Sequence, residues 1–111
     1  MKLAVPSLGK GGKRSRVSDV FAKAPFFTFV EIAGEKISSA RVSANEGSGI
    51  TQGAGPVVVK TLKEAGVDVI IAGEIGPGAK TLLEISGLEL FSVEPGIFVS
   101  DAIQQFISSR N

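Results

Sequence analysis

The side chains that could engage a ligand fall in a few short segments between apolar runs. Gly9-Lys-Gly-Gly-Lys-Arg-Ser-Arg16 sets Lys10, Lys13, Arg14 and Arg16 on a glycine-rich backbone. Cations on such a segment suit phosphate or another polyanion, because each adds a charge-assisted hydrogen bond. Gly47 to Pro56 holds four glycines and a proline, among them Gly53-Ala54-Gly55, and Gly76-Pro-Gly78 follows further on. Glycine serves where backbone must take positive φ or come close to a ligand. Neither segment is a P-loop, since no Gly-Lys-Ser/Thr follows, and neither is a dinucleotide fingerprint. Glu46, Glu74 and Glu94 stand in or beside these loops. As a group they could hold Mg²⁺ or Mn²⁺, and singly they read as solvated loop residues.

The residue inventory removes whole chemistries. The 111 residues include no Cys and no His, so thiolate nucleophiles, imidazole bases, disulfides and ordinary zinc sites are excluded. The length suits one domain, 1–111, around one core. With 43% hydrophobic and 21% charged residues the chain lies in the globular range. Its apolar runs fall short of the roughly 20 residues that span a bilayer, and the expectation is a soluble, cytoplasmic protein. The net charge of +1 hides an asymmetry. Residues 1–23 carry six cations against Asp19, and the remainder carries six cations against ten carboxylates.

These segments need elements to position them. Lys2-Leu-Ala-Val5 reads as a first strand near the sheet centre, ended by Pro6, and the basic segment after it as a flexible connection. Phe26–Ile32 and Lys36–Ala44 are rich in aromatic and β-branched residues and flank Gly34-Glu35, so they form an antiparallel hairpin. From Pro56 the period becomes helical: Val58, Leu62 and Ala65 share a face, and Gly66 stops the helix. Val67–Ala72 is a strand buried on both faces. Pro77 opens a second helix with Ala79, Leu82, Leu83 and Ser86 inward and Gly87 at its end. Leu88–Val93 is a fifth strand, and the pairs Phe98/Val99, Ala102/Ile103 and Phe106/Ile107 recur as one face of a last helix.

The order is βββαβαβα. Helical crossovers join parallel strands and a hairpin joins antiparallel ones, so strands one, three, four and five run one way and strand two the other. Loops 6–20, 45–55, 73–76 and 94–97 then emerge at the carboxyl edge of the sheet, where open α/β sheets bind ligands. Two of these loops feed helix N-termini, whose free amides and partial positive charge favour anions. Phe21 reads as a core anchor for the basic loop. Asp68, at the opposite end of the sheet, and Asp101, in the first turn of the last helix, read as structural.

Gly66-Val-Asp-Val-Ile-Ile-Ala-Gly-Glu-Ile-Gly-Pro-Gly-Ala79, with Gly53-Ala-Gly55 and Ser18-Asp-Val-Phe-Ala-Lys-Ala24, resembles the dinitrogenase iron-molybdenum cofactor biosynthesis family, the small NifX-like domain also found at the C-terminus of NifB-type proteins. The resemblance covers essentially the whole chain. It implies a ribonuclease H-like α/β fold with a mixed five-stranded sheet and helices on both faces. It also implies a non-catalytic role in binding, carrying or inserting iron-sulfur or iron-molybdenum cofactor precursors. This sequence departs from the family pattern where ligation would occur. Val20 precedes Phe21 where members often have histidine, and Ser48, Thr51 and Gln52 stand where members often have histidine or cysteine. Clusters want thiolate or imidazole, so any cluster precursor would be held through amides and cations alone.

The leading reading is a binding module for an anionic ligand, using Lys10, Lys13, Arg14, Arg16, Gly53, Ala54, Gly55, Gly76 and Gly78, with a cluster-handling protein as the alternative partner. A second is an interaction or scaffold protein that has lost cluster ligation; Phe26, Phe27 and Phe29 occupy both faces of one strand, so one of them could meet another subunit. The third is a carboxylate-metal hydrolase built on Glu46, Glu74 and Glu94, against which stands the absence of an acid within Leu3-Ala4-Val5. Nucleic acid is not expected, because no Tyr or Trp is available to stack on bases beside the basic segment. The oligomeric state is not legible.

Overall fold

The computed structural model describes residues 1–110. The strands are β1 (Lys2–Ser7), β2 (Phe26–Ala33), β3 (Lys36–Ala44), β4 (Val69–Ala72) and β5 (Glu89–Ser92), and the helices are α1 (Ala54–Glu64), α2 (Pro77–Ile85) and α3 (Val99–Ser109). They form one five-stranded sheet in the order β3-β2-β1-β4-β5. β2 is antiparallel to both β1 and β3, whereas β1–β4 and β4–β5 are parallel. This is the expected α/β architecture, with β1 at the centre.

The pleat divides the core in two, because successive side chains of a strand point to opposite faces. On one face Leu3, Val5, Val30, Val69 and Ile71 pack under Val99, Ala102, Ile103 and Phe106 of α3. On the other, Ala4, Phe27, Phe29 and Ile70 pack under Val58, Val59 and Leu62 of α1 and Leu83 of α2. Phe106 is fully buried and meets Phe91 edge-on at 5.3 Å between ring centroids. β4 is buried at every residue, as its continuous apolar run requires.

Pro6 does not end the first strand. Met1 and Ile32 exchange backbone hydrogen bonds, so along β1 the odd-numbered residues bond to β2 and the even-numbered ones face β4. The pairing with β4 stops at Ala4–Ile70. The N–H that Pro6 lacks therefore belongs to the β4 side and costs the β1–β2 ladder nothing, and its carbonyl accepts the Ser18 amide at 2.8 Å. The first helix likewise starts two residues before the expected Pro56. Pro56 is its third residue, still among the first four whose amides have no intrahelical acceptor. Gly34, Gly66 and Gly87 take positive φ at the hairpin and at the two helix stops, as expected.

Candidate functional site

The carboxyl ends of β1, β3, β4 and β5 lie together, and the connections leaving them form one edge of the molecule. Two helices open there. Gly53, at φ 76°, precedes α1, and Gly76 precedes α2; neither helix has a side-chain cap. The first intrahelical bond of α2 runs from Lys80 N to Gly76 O at 3.0 Å. Helix geometry then leaves the Ala54, Gly55, Gly78 and Ala79 amides without a capping acceptor, since Pro56 and Pro77 have no N–H. α1 and α2 pack side by side, and a methyl group added at Gly55 would stand 3.9 Å from Leu82 Cδ1. Lys63 of α1 donates to the Ser86 carbonyl at the far end of α2. Both N-termini are thus held on one face of the sheet and at one end of it.

The connection from Leu8 to Pro25, whose basic part Gly9–Arg16 is expected to be flexible, is closed on itself and stitched to its neighbours. Gly12–Arg14 forms a 3₁₀ turn. Leu8 N donates to Arg16 O at 3.0 Å and Gly9 N to Ser15 Oγ at 2.9 Å. Val17 N donates to Ile97 O, Gly96 N to Val17 O and Val99 N to Ser15 O, at 2.8 to 2.9 Å. Backbone groups that leave water need partners, and Gly96, Ile97 and Val99, at the entry to α3, supply three of them.

Arg16 is engaged in this seam. Its guanidinium lies 4.4 Å from the Phe98 ring centroid and donates to the Gly96 carbonyl at 2.8 Å. Lys10, Lys13 and Arg14 are exposed. Their turn packs against α3 and β3, and a methyl group added at Gly12 would meet Val42 Cγ2 at 3.4 Å. The basic turn therefore shares the edge with the α1 and α2 N-termini but covers the α3 side of the sheet. Gly53, Gly55, Gly76 and Gly78 are grouped by the two helices; the cations flank them and do not close over them.

Asn45 is not singled out by the sequence and Gly47 only opens the glycine-rich stretch, yet together they fix the loop after β3. Asn45 is buried and its amide donates to the Ala22 and Ala24 carbonyls, both at 2.8 Å, while its Oδ1 accepts the Gly47 N–H at 3.0 Å. One side chain thereby joins the loop after β1 to the loop after β3. The signal available was Asn-Glu-Gly directly after a strand, an Asx-turn pattern. Phe21 anchors the first loop as expected, edge-on to Phe27 at 5.8 Å. Asp68 is structural: its carboxylate accepts the Lys2 amide at 2.8 Å.

Glu46, Glu74 and Glu94 are exposed. Among the described residues no three His, Cys, Asp or Glu side chains gather closely enough to hold a metal ion. No described helix is long and apolar enough to cross a membrane.

The profile of the family described as dinitrogenase iron-molybdenum cofactor matches residues 1–109. The chain belongs to that family. Its fold recurs in the apo form of the orange protein from Desulfovibrio gigas, with TM-score 0.87 and 26% identity over 98% of this chain and 88% of that one. A protein from Thermotoga, provisionally named a NifB protein, superposes with TM-score 0.79 and 33% identity over 98% and 89% of the two chains. A protein from Methanocaldococcus jannaschii, provisionally named a dinitrogenase, shares the fold at TM-score 0.74 and 21% identity, over 98% and 89%. No curated protein sequence matches the chain.

Proposed function

We propose that this family member is a non-catalytic module that binds an anionic ligand, a metal-cluster precursor by family, at the carboxyl edge of its sheet. The observation that carries the reading is the pair of adjacent helices that open there without a side-chain cap. Their first-turn amides offer hydrogen bonds and the positive ends of two helix dipoles to one guest. Lys10, Lys13 and Arg14 add a favourable long-range field at the same edge. Arg16 contributes its charge from a fixed position against Phe98.

The donor set decides how a cluster would be held. With no Cys or His in the chain, neither thiolate nor imidazole is available to iron or molybdenum. The cargo would sit as an anion among backbone N–H groups and cations, with its own sulfide or oxide atoms accepting the hydrogen bonds. Such a site loads and releases without breaking a protein–metal bond, which suits a carrier.

The test is a titration of the ¹⁵N-labelled protein with molybdate and, separately, with phosphate at low salt. Shifts centred on Ala54, Gly55, Gly78 and Ala79, with affinity that falls as salt rises, are expected. Shifts centred on any other surface, or none at millimolar anion, would overturn the reading.

A further inference from the structure

A second surface, running from that edge along the β3 side of the sheet, has the form of a peptide groove. β3 is a nine-residue edge strand whose residues are exposed or half-buried throughout. On the sheet face that carries α1 and α2, the helices leave β3 and the outer part of β2 uncovered. Two hollows lie there and share Phe29. One, of about 110 Å³, runs between the end of β3 and α1, with Phe27, Val58 and Leu62 in its wall, Ser43 and Thr61 at its sides, and Asn45, Glu46 and Gly47 lining it where the loop after β3 begins. The other, of about 250 Å³, lies along Lys2, Glu31, Ser39 and Arg41. Between them the Phe29 ring carries two cations, Arg41 Cζ at 4.6 Å and Lys2 Nζ at 5.7 Å from its centroid.

We propose that this groove docks an extended segment of a partner protein, which pairs with β3 and presents an apolar side chain and a carboxylate two residues apart. The spacing follows from strand geometry. Ser43, beside the apolar hollow, and Arg41 are two residues apart on the same face of β3, and a strand added alongside repeats its own side chains on that face every second residue. The apolar side chain fills the Phe27, Val58 and Leu62 hollow, and the carboxylate meets Arg41. Backbone pairing supplies affinity and the two pockets supply specificity, as in other cases of strand addition.

Charge selects the occupant. β3 carries Lys36 and Arg41 and no carboxylate. Cations on an edge strand discourage uncontrolled pairing. They disfavour a second copy in particular, because antiparallel β3 would bring only cations and neutral residues to its twin. A carboxylate beside Phe29 meets Arg41 and Lys2, which outnumber Glu31 along that hollow, so the edge discriminates in favour of an acidic segment.

The experiment selects a random twelve-residue peptide library displayed on phage against the immobilised protein, then titrates the enriched peptides, synthesised, into the ¹⁵N-labelled protein. Enriched sequences should carry an acidic and an apolar residue at positions i and i+2, and the shifts should fall on β3 and on Val57 to Thr61 of α1. Arg41→Glu and, separately, Thr61→Trp, which fills the apolar hollow from the exposed side of α1, should each weaken binding at least about tenfold. Melting midpoints close to that of the parent show that both variants are folded. No enriched sequence, enrichment without an acidic residue, shifts on another surface, binding indifferent to both substitutions, or a β3-mediated dimer in light scattering would each overturn the proposal. Molybdate shifts at the carboxyl edge are read separately, so the failure of either proposal is recognisable by itself.

Discussion

Replacing Gly47 by alanine adds a single methyl group at a position where the fold has no room for it. The new Cβ would lie 2.4 Å from Val58 Cγ2 and 2.5 Å from the Ala22 carbonyl oxygen. Val58 is pinned in the core on the buried face of α1. The Ala22 carbonyl is held by the Asn45 amide, so relief requires moving backbone in two loops. Overpacking costs about 1–3 kcal/mol, and a clash with restrained backbone belongs at the upper end. At about 4 °C per kcal/mol for a domain near this size, Gly47→Ala should lower the melting midpoint by about 8–12 °C. The control is Gly49→Ala two residues on, where an added methyl meets nothing within 4 Å and the change should stay within about ±0.5 kcal/mol. Thermal unfolding followed by far-ultraviolet circular dichroism reads both. Equal midpoints for the two variants would refute the account of Gly47 as the packing point between the loops after β1 and β3.

Other substitutions probe both ends of the sheet. Ser7 Oγ and Thr28 Oγ1 are buried and satisfy one another at 3.0 Å; Thr28→Val should cost about 1–3 kcal/mol in urea denaturation by orphaning Ser7, and adding Ser7→Ala should recover much of that loss. The Arg16–Phe98 contact should appear in a double-mutant cycle to alanine as a coupling of about 0.5–1 kcal/mol, since it is exposed, and zero coupling would show the stacking to be idle. Asp68→Ala removes the acceptor of the Lys2 amide and should cost about 0.5–1.5 kcal/mol without altering the molybdate shifts, because Asp68 lies at the other end of β4.

Much of the frame could be read from local chemistry. The change from alternating to helical period at Pro56, the apolar run of Val67 to Ala72 and the glycines at 34, 66 and 87 each state a backbone requirement that holds wherever the segment is placed. Pro6 misled because its cost depends on which neighbour its missing N–H would face, a fact of sheet order and not of β1 alone. The flexible reading of Gly9–Arg16 fails for the same reason. Its glycines and cations describe a pliable chain, while its order comes from Ile97, Gly96 and Val99, some eighty residues away. Arg16 could be recognised as a cation, yet its partner Phe98 was visible only as a member of a helical stripe. Asn45 carried a local turn signal, but its two long-range acceptors carried none.

The seam between the first loop and the start of α3 would give the proposed ligand a way to report at a distance. Ser15 O holds the Val99 amide and Arg16 lies on Phe98, so a guest that drew Arg16 towards itself would tug on the opening turn of the last helix. Deuterium uptake at Val99 would then record an event occurring on the opposite side of the sheet.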